Sequence, residues 1–356
     1  MYAFIGDLHL GVKLPHEDYL RSLDKFLGLI KEHKEPCHAI FVCGDMFDTR
    51  LSVEELRFAA YFIVNLVRNF CGRGNMPHVP VYFVHGTYTH DQDQYEIFMP
   101  LLNALDNVET YYVSTASVVT IVGGKHVLFL PQEYGDVNYD EFFSKGKHYD
   151  MIVGHGPIAS QTKNPCKSAK YEIIHSAELL GEVSDICVFG HYHGYTDFGN
   201  NVFYTGPWLQ WRYGEDEPNV FFFCNDKYEV QTVPNEFAME FRTIEIHSPE
   251  ELREYVNANP KTPHRFIIQS SSDDMETYRG IINTGVPNPN LKFQLSEIVD
   301  DDDLQLTVDE VMNAQVEAVQ PVPALATYIK DKYGIDTTEQ LSVYESQINK
   351  EETKND

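Results

Sequence analysis

The chain alternates short apolar runs with stretches in which apolar residues recur every three or four positions. Tyr2–Ile5, Ala39–Val42 and Val79–Val84 are nearly continuous apolar runs, the pattern of strands buried on both faces. Between the first two, Leu20, Leu23, Phe26, Leu27 and Ile30 mark one face of a helix over Asp18–Lys34. Ser52–Phe70 predicts a second helix, opened by Ser52 as N-cap with Glu55 three residues on, a capping-box spacing. Further runs at Val127–Leu130, Met151–Val153, Ile186–Phe189, Val202–Tyr204 and Val220–Phe223 extend the series. Helices alternating with fully apolar strands predict a layered α/β domain over residues 1–239.

After Glu240 the texture changes. Arg242–His247, Arg265–Ser270 and Leu291–Glu297 read as strands, with Pro249–Asn257 and Met275–Ile282 as helices, a small β-α-β-α-β unit over residues 240–297. The run Asp300 to Asp303 breaks the apolar pattern and marks residues 298–306 as a solvated acidic linker. Residues 307–356 predict three short amphipathic helices, Thr307–Val319, Pro323–Lys332 and Thr337–Ile348. Thr307 with Glu310 repeats the capping box, and Gly334 is a stop signal. Their apolar positions, among them Leu325, Ile329, Leu341 and Ile348, are too few for an independent core, so they are expected to pack on another surface.

The polar residues at the ends of the apolar runs share one chemistry. Asp7-Leu8-His9, Gly44-Asp45-Met46-Phe47-Asp48, Gly86-Thr87-Tyr88-Thr89-His90-Asp91, Gly154-His155 and Gly190-His191-Tyr192-His193 are all built from Asp and His, and four of the five directly follow a predicted strand. Ligands of layered α/β folds gather at the carboxyl ends of strands, so Asp45, His90, His155 and His191 are expected along one sheet edge. Each motif alone has an ordinary reading. Asp7 can end a strand, Asp48 can cap the next segment, and His155 before Gly156-Pro157 can occupy a turn. His191 and His193 share a side if the backbone between them is extended. Their joint occurrence, in this order and after strands, has no such explanation. Oxygen and imidazole donors without a thiolate suit Mn²⁺, Fe²⁺ or a similar ion rather than structural zinc. Two such ions ~3.5–4 Å apart can clamp a phosphodiester and bring the pKa of a bound water toward neutrality. Asp45 is the candidate carboxylate between them.

Composition narrows the picture. With 54 acidic and 27 basic residues in 356, the formal net charge is −27, which repels polyanions. Ser296–Asp356 holds 15 acidic and 4 basic residues, or −11, leaving −16 on the preceding 295. A nucleic-acid substrate therefore needs a local basic groove, the metals themselves or a partner subunit. Six cysteines with no Cys-x-x-Cys spacing argue for reduced, buried thiols. No stretch approaches the ~18–20 apolar residues of a membrane span. Met1 runs almost directly into the first motif, so a cytoplasmic location is expected.

Together the motifs resemble the calcineurin-like metallophosphoesterase superfamily, and most nearly its SbcD-type nucleases of double-strand-break repair, phage recombination nucleases among them. Over residues 1–240 the resemblance rests on motifs, and beyond them on architecture alone. It implies a layered α/β sandwich with a small capping domain and a C-terminal helical segment for a partner. It implies Asp7, His9, Asp45 and His193 around one divalent ion and Asp45, His155 and His191 around the other, with Asp45 bridging. Mn²⁺ is the expected ion, Mg²⁺ and Fe²⁺ the alternatives. It also implies that His90, supported by Asp91, gives a proton to the leaving oxygen. A near-neutral His oriented by a carboxylate suits that role. Asp48 is expected to orient the ligands rather than bind metal.

One departure matters. The family's third motif is Gly-Asn-His followed by Asp or Glu, with Asn on the second ion. Here Thr87-Tyr88-Thr89 separates Gly86 from His90-Asp91. A hydroxyl of Thr87 or Thr89, or a water, has to substitute, and one tight and one labile metal position are expected. The unusual motif also makes a phage origin plausible, with the host cytoplasm as the place of action.

Phosphomonoesterases of the superfamily precede their third motif with Arg, where this chain has His85. A diester carries one charge and needs less clamping. Tyr204-Thr205-Gly206-Pro207-Trp208 and Gly214-Glu215 resemble segments of SbcD-type nucleases, and Trp208, Trp211 and Arg212 could stack on bases or track a backbone. The alternative is that these aromatics close the sheet. The resemblance further implies double-stranded DNA as substrate, an SbcC-type coiled-coil ATPase docked on the C-terminal helices, and a homodimer formed through helices near Tyr95–Leu105 within a heterotetramer. The expected activity is that of an exonuclease or endonuclease subunit in DNA recombination, repair or replication. A metallophosphoesterase acting on small phosphodiesters and a catalytically weak scaffold of the ATPase complex are the alternatives.

Overall fold

In a computed structural model of the chain, the structure describes residues 1–12, 14–68, 79–134, 138–163, 173–210, 212, 215, 217–238, 241–258, 264–270, 276–278, 280–281 and 292–297. The chain divides into two compact units, Met1–Glu297 and Ile298–Asp356. The expected acidic linker and C-terminal helices lie outside the described residues, as does the end of the second helix beyond Arg68.

Two six-stranded sheets form the body of the first unit. In one, Tyr2–Ile5, Ala39–Cys43, Val81–Val84 and Thr110–Val113 run parallel, Val220–Cys224 pairs antiparallel with Tyr2–Ile5, and Val230–Pro234 pairs antiparallel with Val220–Cys224 at the edge. In the other, Lys125–Leu130, Tyr149–His155, Ser184–Gly190 and Val202–Tyr204 are parallel, edged by antiparallel Ser117–Ile121 and Thr196–Gly199.

Strand alternation sorts the apolar residues into layers. Tyr2, Phe4, Phe41 and Tyr82 of the first sheet meet Val127, Phe129, Val153 and Val188 of the second in a core between them. Phe41 stacks on Phe4 at 5.2 Å and Tyr82 on Phe129 at 5.4 Å. Such pairs add ~0.5–1.5 kcal/mol each beyond burial. Ala3, Ile5, Ile40, Val42 and Phe83 face the opposite way, against the helices His16–Glu32 and Val53–Arg68 and the helix Tyr95–Asn103. Leu128, Leu130, Ile152 and Phe189 cover themselves with Ala177 and Leu180 of the helix Ala177–Glu182. The result is a layered α/β sandwich with helices outside both sheets, as the uninterrupted apolar strands predict.

Both halves of the capping box at the second helix are made. Ser52 N–H donates to Glu55 Oε2 at 2.7 Å, and Glu55 N–H donates to Ser52 Oγ at 3.4 Å. Further along, Arg242–Ile246, His264–Ser270 and Lys292–Glu297 form a separate parallel sheet in that order, with the helix Pro249–Ala258 between the first two. Among the described residues no helix is long and apolar enough to cross a membrane. Cys37, Cys43, Cys187 and Cys224 are free and buried.

Candidate metal centre

Four strands deliver the acidic and imidazole groups to one place. Asp7 lies two residues past the strand ending at Ile5, and Asp45 two past the strand ending at Cys43. His155 ends its strand, and His191 directly follows the strand ending at Gly190. At Asp7, His9, Asp45 and His191 the chain is in left-handed backbone, with φ of +48°, +45°, +45° and +112°. L-residues avoid this region, at a cost of order 1–3 kcal/mol each, so tertiary packing imposes it. Two glycines allow the close approach. A Cβ on Gly86 would lie 2.1 Å from Asp45 N, and one on Gly190 would lie 2.2 Å from the Cys43 carbonyl oxygen.

The groups converge in three overlapping sets, Asp7–His9–His193, Asp7–Asp45–His155 and His9–Asp48–His90, each able to present ligand atoms within 4.8 Å of one another. In the first, His9 Nε2 and His193 Nε2 are 3.0 Å apart. Asp45 stands between the sets, with Oδ2 3.9 Å from His9 Nε2 and Oδ1 3.3 Å from His155 Nε2. Asp7 belongs to two sets and accepts the His191 N–H on both carboxylate oxygens, at 2.9 and 3.1 Å. Asp48 Oδ1 is 3.7 Å from His9 Nδ1 and 3.8 Å from His90 Nδ1, and the Asp48 carbonyl also meets His90 Nδ1.

Extended backbone was the condition for His191 and His193 to share a side, and it is not met. The turn at His191 separates them. His193 faces His9, whereas the His191 ring lies 5.2 Å from the His155 ring, edge to face. The motif thereby sends one imidazole to His9 and the other to His155.

The third motif is rearranged. Thr87, in the place of the absent Asn, donates its N–H to Asp45 Oδ1 at 2.6 Å. Its Oγ1 is 3.2 Å from Asp45 Oδ2, 3.3 Å from His155 Nε2 and 3.0 Å from Gln132 Oε1. Thr89 is exposed, away from this cluster. Asp91, expected to support His90, instead accepts the N–H groups of Gly86 and Phe47, at 2.7 and 3.1 Å. One turn of helix, Tyr88–Asp91, directs its carboxylate inward while the His90 side chain stays 28 % exposed. Asp48 takes the place beside His90.

Buried charge sets the protonation pattern. Burial raises the Asp45 carboxyl, but His155, His9 and His90 outweigh it and hold Asp45 well below the usual carboxylate range. Burial likewise opposes the charge on His155, and Asp45 and Asp7 overcome it, raising His155 to about 9. Asp7 is raised to about 6, mainly by burial. Burial and neighbouring histidines push His9 well below its ordinary value and bring His191 down to about 3. The two buried carboxylates, with the neutral imidazoles of His9 and His191, match a hard or borderline divalent cation. Such ions, when bound, would polarise a phosphoester oxygen and activate water. Around them, the chain's own part is to hold the ligands in place, with His90 accessible at the rim.

Other expected site residues separate. Trp208 is buried, 1 % exposed, and packs edge-on against Phe26, Phe62 and Phe221, each at 5.6 Å. It is a core residue and cannot stack on a base, because the outer helices of the first sheet cover it. Trp211 lies outside the described residues. Arg212 is exposed, and its Nε donates to Glu215 Oε1 at 3.0 Å. Two site residues were given no role in the sequence reading. Glu215, noted there only within the Gly214-Glu215 segment, has its Oε1 2.6 Å from His193 Nδ1. Gln132 lies two residues past the strand ending at Leu130, and the carboxyl-end rule could have found it.

No curated protein matches the chain. The family model of the calcineurin-like phosphoesterases matches residues 2–195, more than half of the chain, so the chain belongs to that family, whose domain carries out phosphoester hydrolysis with metals.

Proposed function

We propose that the chain is the nuclease subunit of an ATPase–nuclease pair, hydrolysing DNA phosphodiesters with two Mn²⁺ ions. His85 carries the preference for a diester. It occupies the position where phosphomonoesterases of the superfamily place Arg, yet it is buried, and its Nδ1 is 2.8 Å from Tyr112 Oη. Burial and the nearby His155 lower it to about 4, so it carries no charge at pH 7 and cannot clamp a dianionic phosphate. In this reading Asp7, His9, Asp45 and His193 hold one ion, and Asp45, His155 and His191 the other. His90 donates to the leaving oxygen, and Asp48 orients the histidines. The separate sheet of Arg242–Ile246, His264–Ser270 and Lys292–Glu297 would guide duplex DNA. The segment 307–356 would dock an SbcC-type coiled-coil ATPase, which supplies the DNA affinity that a chain of net charge −27 lacks.

That same acidity favours a second reading, a hydrolase of small phosphodiesters, for which no polyanion has to approach. The test is nucleotide release from end-labelled linear duplex DNA in Mn²⁺, with and without the ATPase, beside a small chromogenic diester. Cleavage of DNA that is lost with chelator and in His90→Ala supports the nuclease. Turnover of the small diester alone supports the second reading. No turnover of either would leave a scaffold of the ATPase complex.

A further inference from the structure

The third motif lacks the amide that its family places on the second ion, and a different strand brings an amide to the same spot. Gln132 follows Lys125–Leu130, which pairs with Tyr149–His155 in a register that sets Leu130 beside Gly154. Its side chain reaches the same Thr87 hydroxyl that His155 Nε2 meets. Its backbone N–H donates to the His85 carbonyl at 3.2 Å, tying it to the base of the third motif. The residue is 6 % exposed, and its Oε1 accepts the Thr87 hydroxyl at 3.0 Å.

Thr87 Oγ1 therefore lies 3.0–3.3 Å from three potential ligand atoms, Gln132 Oε1, Asp45 Oδ2 and His155 Nε2. Neighbouring ligands of an octahedral ion with bonds of ~2.0–2.1 Å are themselves ~3 Å apart. The carboxylate, imidazole and amide atoms each stand at that neighbour spacing from the Thr87 hydroxyl oxygen. We propose that Gln132 is the amide ligand of the second metal position, replacing the missing Asn, with Thr87 as its hydroxyl neighbour in the coordination shell. The assignment rests on the two-metal reading above. The competing explanation is a simple lock, in which the Thr87–Gln132 bond only pins the loop.

Metal counting separates these possibilities without reference to activity. Mn²⁺ is titrated calorimetrically into the metal-free full chain, and bound ions are counted by electron paramagnetic resonance. Wild type is expected to bind two ions, the second more weakly. Gln132→Leu should weaken the second step at least tenfold and leave the first within about threefold. Adding Thr87→Asn to Gln132→Leu, which restores the family's amide, should recover the second step. Gln132→Glu keeps an oxygen of similar reach and should retain it, which also guards against misfolding of the leucine variant. Two unchanged steps in Gln132→Leu, or loss of the second step in a folded Gln132→Glu, would overturn the proposal alone. A wild type that binds a single ion would overturn the two-metal reading together with it.

Discussion

Glu215 Oε1 sits 2.6 Å from His193 Nδ1, on the far side of the ring from the Nε2 that meets His9. Arg212 Nε shares the same carboxylate oxygen at 3.0 Å. A carboxylate behind an imidazole fixes which nitrogen carries the proton and which faces the metal. Glu215→Gln should weaken Mn²⁺ binding at the His9–His193 position by about 10- to 100-fold. The variant keeps an oxygen acceptor of the same reach and should remain folded. Calorimetric titration of the first Mn²⁺ step checks it, and an unchanged affinity would remove Glu215 from the site.

Asp91 has a structural task. Burial, with the Asp45 charge, raises it to about 8 despite the two backbone N–H groups it accepts. Its folded pKa exceeds the unfolded value of about 3.9, so the folded state holds the extra proton. Metal-free protein should therefore lose stability as pH rises from about 4 to about 8. Asp91→Asn should abolish this contribution to the slope and cost about 1–3 kcal/mol, because its amide oxygen can accept only one of the two N–H groups. Asp91→Ala leaves two buried N–H groups without an acceptor, at about 1–3 kcal/mol each. Urea unfolding at a series of pH values distinguishes the three proteins, and an unaltered slope in Asp91→Asn would refute the assignment.

Loading metal should release protons. His155, raised to about 9, is protonated at pH 7 and has to lose that proton to become a ligand. Apparent affinity at the position it shares with Asp45 should rise about tenfold per pH unit up to pH 9 and then level off. Without metal the sign reverses. The stability contributed by the His155 proton is complete below about pH 6.5 and lost as pH rises through 9. Calorimetry in buffers of different ionisation enthalpy counts the released proton, and zero release at pH 7 would contradict the buried Asp45–His155 pair.

Trp208 should matter for stability and not for substrate. Replacing it by Ala among Phe26, Phe62 and Phe221 should cost about 3–5 kcal/mol. Trp208→Phe should fold and bind DNA or diester as wild type does. A selective loss of DNA binding in the folded Phe variant would reinstate a contact role.

What could be read from the chain alone was whatever depends on neighbours in sequence. Strands such as Tyr2–Ile5 and Val202–Tyr204 announce themselves because both faces are buried and every position is apolar. The same rule fails at the sheet edges. Ser117–Ile121 sets Ser and Thr among its apolar residues and buries only Ile121, and Thr110–Val113 buries only Val113, so neither has the signature of a strand buried on both faces. The Asp and His motifs were legible because strand ends are where a layered fold exposes side chains.

The wiring between motifs was decided by the tertiary structure. Asp91 precedes no visible partner in sequence, and only the turn of helix at Tyr88–Asp91 directs it to Gly86 and Phe47 rather than to His90. His191 and His193 diverge because the backbone at His191 is left-handed, a state that packing imposes and local pattern does not signal. Gln132 and Glu215 reach the centre across 45 and 22 residues of chain, to Thr87 and His193. A single amide or carboxylate has no periodicity to betray it. Its role comes from a distance that exists only once the two sheets have closed on each other.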